Sequence, residues 1–183
     1  MAEQKGLTII ELVISIFVLM AGVIVIFGSF SIIAILVSNI EDQLTAVYLG
    51  QEGIEIIRNL RDNNWKRIAK REEINWDRGL IEACQDGCMV DFTTDGSLNP
   101  ILPWNENQYL NIQPDTNFYS YKEGEKTKFR RRIDIIKLKP PKEEEEAILK
   151  VVVTVFWDQK PNILNPQGNP GKIQITNTLY NWY

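Results

Sequence analysis

Residues 12–40 carry no charged side chain, and Glu11 stands directly before them. As a helix rising 1.5 Å per residue, this run would be roughly 40 Å long, enough to cross a bilayer core of about 30 Å. An acid at the edge of such a run is costly. A mid-membrane carboxylate opposes insertion by about 2.5–3.5 kcal/mol, so an acid in this position marks a functional group whose partner has to be named.

The natural partner is a cation, and the residues suggest how one arises. Cutting after Gly6 would create a free amino group on Leu7, with Glu11 as the fifth residue of the product. In a helix Glu11 then lies one turn along and on the same face as Leu7. One helix cannot easily bring Glu11 back to its own amine, because a turn of helix separates them along the axis. A parallel neighbour shifted by about one turn could present its amine to Glu11. The pattern points to cleavage followed by lateral assembly of helices.

Residues 5–28, KGLTIIELVISIFVLMAGVIVIFG, resemble the N-terminal cleavage and methylation segment of type IV pilins and of the pseudopilins of type II secretion. The match rests on a short leader, a glycine, an acid at the right offset and a long apolar run, with Gly6, Leu7, Thr8 and Glu11 at the family spacing. It continues more weakly through residues 48–65, YLGQEGIEIIRNLRDNNW, which look like the helix end of PilV-type minor pilins. The resemblance implies a prepilin peptidase that cuts between Gly6 and Leu7 and N-methylates Leu7. It implies that Glu11 assists docking of subunits in a filament. The partners it implies are that peptidase, other pilin subunits, the inner-membrane assembly machinery and the membrane itself. The product would be a pilus-like filament outside the cell, or a secretion pseudopilus in the periplasm.

Two plainer readings compete. A secretory signal peptide needs a short apolar region followed by a small-residue cleavage site; this run is longer, and no Ala-x-Ala precedes Glu41-Asp42. An uncleaved signal anchor would explain the span but leave Glu11 unexplained. Departures from the family pattern exist. Glu3 cancels Lys5 in the leader, and the first helix lacks a proline. Gly22 and Gly28 are its weak points, each costing roughly 1 kcal/mol against alanine. Close helix packing in the membrane accounts for them more simply than local melting during assembly.

Lys5 before the expected span and Glu41-Asp42 after it favour a cytoplasmic N-terminus before assembly. The domain organisation expected is a leader at 1–6, a membrane and assembly half of the helix at 7–40, and a head at 41–183. The net charge of −4 has both signs interspersed, and gives no footprint for nucleic acid. There is no histidine, which removes imidazole acid–base chemistry and His-ligated metal sites. No cofactor is implied.

The first helix is expected to continue beyond the membrane on an apolar stripe of Ile40, Leu44, Val47, Ile54, Ile56 and Ile57, and to end near residues 61–64. Residues 65–88 read as a helical or irregular connector anchored by Trp65 and Trp76. Residues 88–94 read as a short strand, with another at 109–112. Residues 118–138 read as a hairpin turning at Glu123-Gly124. Strands are expected at 147–159 and 172–183. Three successive strands form an antiparallel meander, one face of which packs on the amphipathic helix half. The fold class is α+β, a pilin-like long helix on an antiparallel sheet.

Other candidate sites are weak. Glu143 to Glu146 read as a solvated turn after Pro140-Pro141. Arg130, Arg131 and Arg132 alternate across a strand and cannot form one cluster. Asp86, Asp91 and Asp95 do not have the spacing of a calcium loop. No residue stands out as catalytic. Cys84 and Cys88 form a candidate disulfide in an oxidising compartment. Extended chain would hold their Cα atoms about 13 Å apart, and a turn at Gln85-Asp86-Gly87 would close the gap; two free buried thiols are the alternative. Two functions follow: a structural filament subunit, minor pilin or pseudopilin, and an uncleaved single-span, surface-anchored binding protein. No feature argues for an enzyme.

Overall fold

The computed structural model describes residues 8–96, 98–138 and 148–181. A single helix, α1 (Ile9–Ala69), runs for 61 residues, about 90 Å at 1.5 Å per residue. Its two halves meet different surroundings. Every residue from Thr8 to Ala34 is exposed, so nothing among the described residues covers this part of the apolar half. From Ala46 onward one face is buried by Leu49, Gly50, Gly53, Ile54, Ile57 and Leu60. Ile40 and Leu44, expected to begin that stripe, remain exposed because they lie below the level at which the sheet closes on the helix.

The helix also outlasts its expected end at 61–64. Asn64, read as a breaker, directs its side chain away from the helix backbone. Its Nδ2 donates to the carbonyls of Trp76 at 3.1 Å and Arg78 at 2.9 Å, so it ties the connector down instead of competing for the helical ladder. The helix stops where Arg71 takes a left-handed φ of 65° and the Lys70 N–H donates to the Arg67 carbonyl at 3.0 Å, a tightened last turn that satisfies a terminal acceptor.

After α1 come α2 (Ile81–Cys84), β1 (Cys88–Met89), β2 (Leu102–Pro103), β3 (Asn111–Ile112), β4 (Tyr119–Ser120), β5 (Glu125–Lys126), β6 (Phe129–Leu138), β7 (Ile148–Trp157) and β8 (Gly171–Leu179). Five strands form one antiparallel sheet in the order β2-β1-β6-β7-β8. Its centre is the expected meander, with Ile133 opposite Val153 and Val153 opposite Ile175. β-branched residues dominate β7, which suits a pleated strand covered on both faces. Val153 and Val155 face α1 and are fully buried, whereas Thr154 and Phe156 alternate to the outer face. The layout is α+β, a long helix packed on an antiparallel sheet.

Several expected strands are shorter or differently paired. Of residues 88–94 only Cys88–Met89 is strand; the Asp91 side chain then bends the chain by accepting the Thr93 N–H at 2.9 Å. Of 109–112 only Asn111–Ile112 pairs. The hairpin expected across Glu123-Gly124 does not form. β4 and β5 each pair with β3, which lies between them, so that Asn111 is opposite both Ser120 and Lys126. Gly124 permits this: its φ is 137°, and a Cβ there would come within 2.6 Å of the Ile112 carbonyl oxygen. β8 ends at Leu179, short of the expected 183, and Ala147 lies outside the described residues.

The helix and sheet meet around Arg131. It occupies a core-facing position of β6 between Phe129 and Ile133, and its side chain is wholly buried. Its Nη1 donates to Glu52 Oε2 and to the Leu49 carbonyl, both at 2.8 Å, and its Nη2 donates to the Val90 carbonyl at 2.6 Å. One arginine thus pins α1, β6 and the segment after β1 together. The pair is asymmetric, because 31% of the Glu52 side chain remains exposed. Removing Glu52 strands a buried cation, which costs about 3–5 kcal/mol. Removing Arg131 leaves an acid that water can reach. Urea unfolding of the detergent-solubilised protein, followed by tryptophan fluorescence, is therefore expected to show Glu52→Ala as more destabilising than Arg131→Met; equal or reversed losses would contradict this account.

Candidate functional site

The N-terminal acid sits where the sequence pattern placed it, in the first turn of an apolar helix. Thr8 is the N-cap, with extended backbone (φ −74°, ψ 150°), and its Oγ1 accepts the Glu11 N–H at 3.4 Å. Serine or threonine caps are favoured here because they satisfy an amide that has no helical partner. A carboxylate in the first turn also faces the positive end of the helix dipole, worth about 0.3–1 kcal/mol. Among the described residues no cation of the chain forms an ion pair with Glu11. Gly6 and Leu7, the expected cleavage and methylation residues, lie outside the described residues.

The rest of the apolar half is chemically quiet. The Ser15, Ser29 and Ser31 hydroxyls donate to the carbonyls of Glu11 (2.7 Å), Val25 (2.9 Å) and Phe27 (3.3 Å) one turn earlier. Each hydroxyl is satisfied within the helix, the condition a nonpolar solvent imposes on polar groups. A Cβ on Gly22 or Gly28 would meet nothing within 4 Å, so any close packing at these glycines would need another helix. Just beyond the uncharged run, Asp42 pairs with Lys128 at 2.6 Å.

The three consecutive arginines separate as strand geometry requires. Arg131 enters the core, Arg130 pairs with Asp158 at 3.0 Å, and Arg132 pairs with Asp134 at 2.7 Å. Each has its own carboxylate, so no shared anion site forms. Cys84 and Cys88 are joined by a disulfide with Cα atoms 4.7 Å apart, and both are buried. The turn between them relies on Gly87 at a φ of 91°. The bridge connects α2 to β1 inside the core. Glu143 to Glu146 lie outside the described residues.

Among the described residues Asp91 is the one buried acid of the head. Burial pushes its pKa up, but the N–H of Tyr121 and the hydroxyl and N–H of Thr93, helped by Arg131, outweigh that and hold it below the ordinary carboxylate value. Tyr121 donates its hydroxyl to the Arg131 carbonyl at 3.0 Å, and burial raises its pKa to about 12. Glu52, Arg131, Asp91 and Tyr121 thus form one polar network. Its strongest donors and acceptors are used on backbone and on each other, which suits a structural brace. Sequence reasoning overlooked Glu52, and also Gly50 and Gly53. The available signals were an arginine on the apolar alternation of β6 and two glycines one turn apart inside an amphipathic helix.

No family model, curated protein or solved structure matches this chain.

Because the Asp91 pKa is lower folded than unfolded, its carboxylate adds stability above the ordinary carboxylate range, and that contribution is lost as the pH falls through its folded value. The wild-type unfolding midpoint is expected to drop on acidification below about pH 4. Asp91→Asn is expected to lower stability at pH 7 and to flatten the acid limb, as measured by urea titrations across pH.

Proposed function

We propose that this chain is a structural subunit, a minor pilin or pseudopilin, which is cut after Gly6, N-methylated on Leu7 and assembled through Glu11 into a type IV pilus-like filament. The observation that carries the reading is an acid in the capped first turn of a helix whose apolar half is uncovered by any described residue from Thr8 to Ala34, while the other half is braced by an α+β head. An apolar cylinder of that length suits a bilayer first and a bundle of identical helices afterwards. In such a bundle the Leu7 amine of one subunit relieves the Glu11 charge of another.

The partners under this proposal are a prepilin peptidase, other pilin subunits, inner-membrane assembly machinery and the membrane, with no nucleic acid or cofactor and no enzymatic step by the chain itself. The head would face the outside and the leader the cytoplasm until assembly. The binding-protein alternative shares the span but needs neither Gly6 nor Glu11.

Two substitutions separate the steps. A side chain at residue 6 would obstruct the peptidase where glycine leaves the scissile bond open, so Gly6→Val is expected to leave full-length precursor in the membrane. N-terminal sequencing checks this: wild type beginning at Leu7 and Gly6→Val beginning at Met1 fit the proposal, and normal processing of the variant contradicts it. Glu11→Ala is expected to be cut and folded normally yet to enter sheared filaments poorly, because the lost group acts only between subunits. Wild-type incorporation of that variant would remove Glu11 from assembly.

A further inference from the structure

The loop between β7 and β8, residues 158–170, leaves Ile163 73% exposed and Leu164 51% exposed at adjacent positions. They sit at the end of the head nearest the apolar half of α1. β7 runs toward that end, and the loop that follows it borders a hollow formed with the helix, with Lys160, Pro161 and Asn162 on one side, Ile35, Ser38 and Asn39 on the other, and the charged Asp42, Lys128 and Asp158 at its head-ward end. Those helix residues belong to the last two turns of the uncharged run, which ends at Ile40.

Lengths place this level at a lipid surface. The uncharged run is roughly 40 Å as helix against a hydrocarbon core of about 30 Å, so about 10 Å of it extends into a headgroup zone. With Glu11 near the opposite boundary, the excess falls around Ile35–Asn39, level with the loop. The loop also closes part of its own backbone polarity. The Asn162 side chain accepts the N–H groups of Leu164 and Asn165, both at 2.9 Å. The Asn165 side chain accepts the Asn169 N–H at 3.1 Å and donates to the Asn169 carbonyl at 2.9 Å. Gly168, at a φ of 64°, lets the returning strand pass against Pro161. Two asparagines therefore consume backbone groups internally, and the two large apolar side chains project outward with Lys160 exposed beside them.

We infer that the tip of the β7–β8 loop is a second membrane contact, in which Ile163 and Leu164 insert into the headgroup region of the bilayer that α1 spans and Lys160 faces lipid phosphate. A contact of this kind reaches about 5–10 Å into the headgroup boundary. It would fix the tilt and rotation of the head on the membrane before assembly, because one helix alone leaves the head free to swivel about its axis. The inference rests on α1 crossing a bilayer and not on cleavage or filament formation.

Both native cysteines are in the disulfide, so an added cysteine is the one free thiol. The full chain is reconstituted into phosphatidylcholine vesicles after labelling with an environment-sensitive fluorophore at Ile163→Cys, at Leu164→Cys, at Val18→Cys two turns inside the apolar run, or at Glu73→Cys beyond the far end of α1. Nitroxide lipids carrying the spin label either near the headgroup or deep in the acyl chain serve as quenchers. The expected result is roughly twofold quenching of the 163 and 164 labels by the shallow nitroxide, consistent with interfacial depth, with deep quenching of the 18 label and none of the 73 label. Unquenched 163 and 164 labels beside a deeply quenched 18 label would overturn the loop contact and leave the span intact. An unquenched 18 label would overturn the span, and the loop contact with it.

Discussion

The close approach of α1 to the sheet at Gly50 and Gly53 sets the geometry of the head. A Cβ on Gly50 would come within 2.6 Å of Ile175 Cδ1, and one on Gly53 within 3.1–3.4 Å of Arg131, Val153 and Ile133. Glycine inside a helix costs roughly 1 kcal/mol against alanine. Two of them on one turn are tolerated because the backbone gap they open lets Val153, Ile133 and Ile175 reach the helix, and burying side chains of that size is worth about 1.5–3 kcal/mol each. The same gap allows the Arg131 guanidinium to pass between helix and sheet and reach the Leu49 carbonyl. Larger residues at 50 and 53 would press on the Ile175, Val153 and Arg131 side chains, so the close packing and the buried ion pair share the same two positions.

A second constraint is that one uninterrupted helix serves two environments. Residues 8–34 are exposed all round, partial cover begins at Ile35, and the first fully buried helix residue is Ala46. Between the two lies a stretch in which Asp42 pairs with Lys128. No break within α1 separates the halves, so any force on the apolar half is transmitted as rotation or translation of the head. The 61-residue length follows from this continuity. An isolated globular domain of this size would not sustain such a helix, since helical stability in proteins comes mainly from burying one face. The uncovered half requires a nonpolar solvent or other chains to do the same.

The sequence made the long-period features legible. An uncharged run of membrane length, an acid before it and a β-branched strand at β7 each follow from composition and spacing, and the meander β6-β7-β8 followed from three strands in succession. Short elements were less legible, because their pairing is decided by contacts distant in sequence. Asn64 had the composition of a helix stop, but carbonyls 12 and 14 residues away claimed its side chain. Glu123-Gly124 had the composition of a hairpin turn, but β3 intervened between its arms. Arg131 lay visibly on the apolar face of its strand; its partner Glu52, 79 residues earlier, could not be identified without the fold. At the N-terminal site the sequence supplies the residues, and the structure adds the Thr8 cap and the absence of cover.

The energetics of Glu11 follow from these facts. Its own helix offers the carboxylate the positive end of the dipole, worth about 0.3–1 kcal/mol. Burial at the centre of a membrane would cost about 2.5–3.5 kcal/mol. The dipole alone therefore falls short by about 2 kcal/mol if the acid lies deep, and the shortfall shrinks toward zero if the acid sits at the boundary. A chain held with Glu11 at the boundary can wait there at little cost. Drawing it out along its axis, as the proposed assembly demands, would carry the acid through the core and expose the full shortfall unless an amine arrives first. Under the proposed function, the position of the acid would make pairing favour departure from the membrane. A Gln at the same place would cross more easily and lose that dependence.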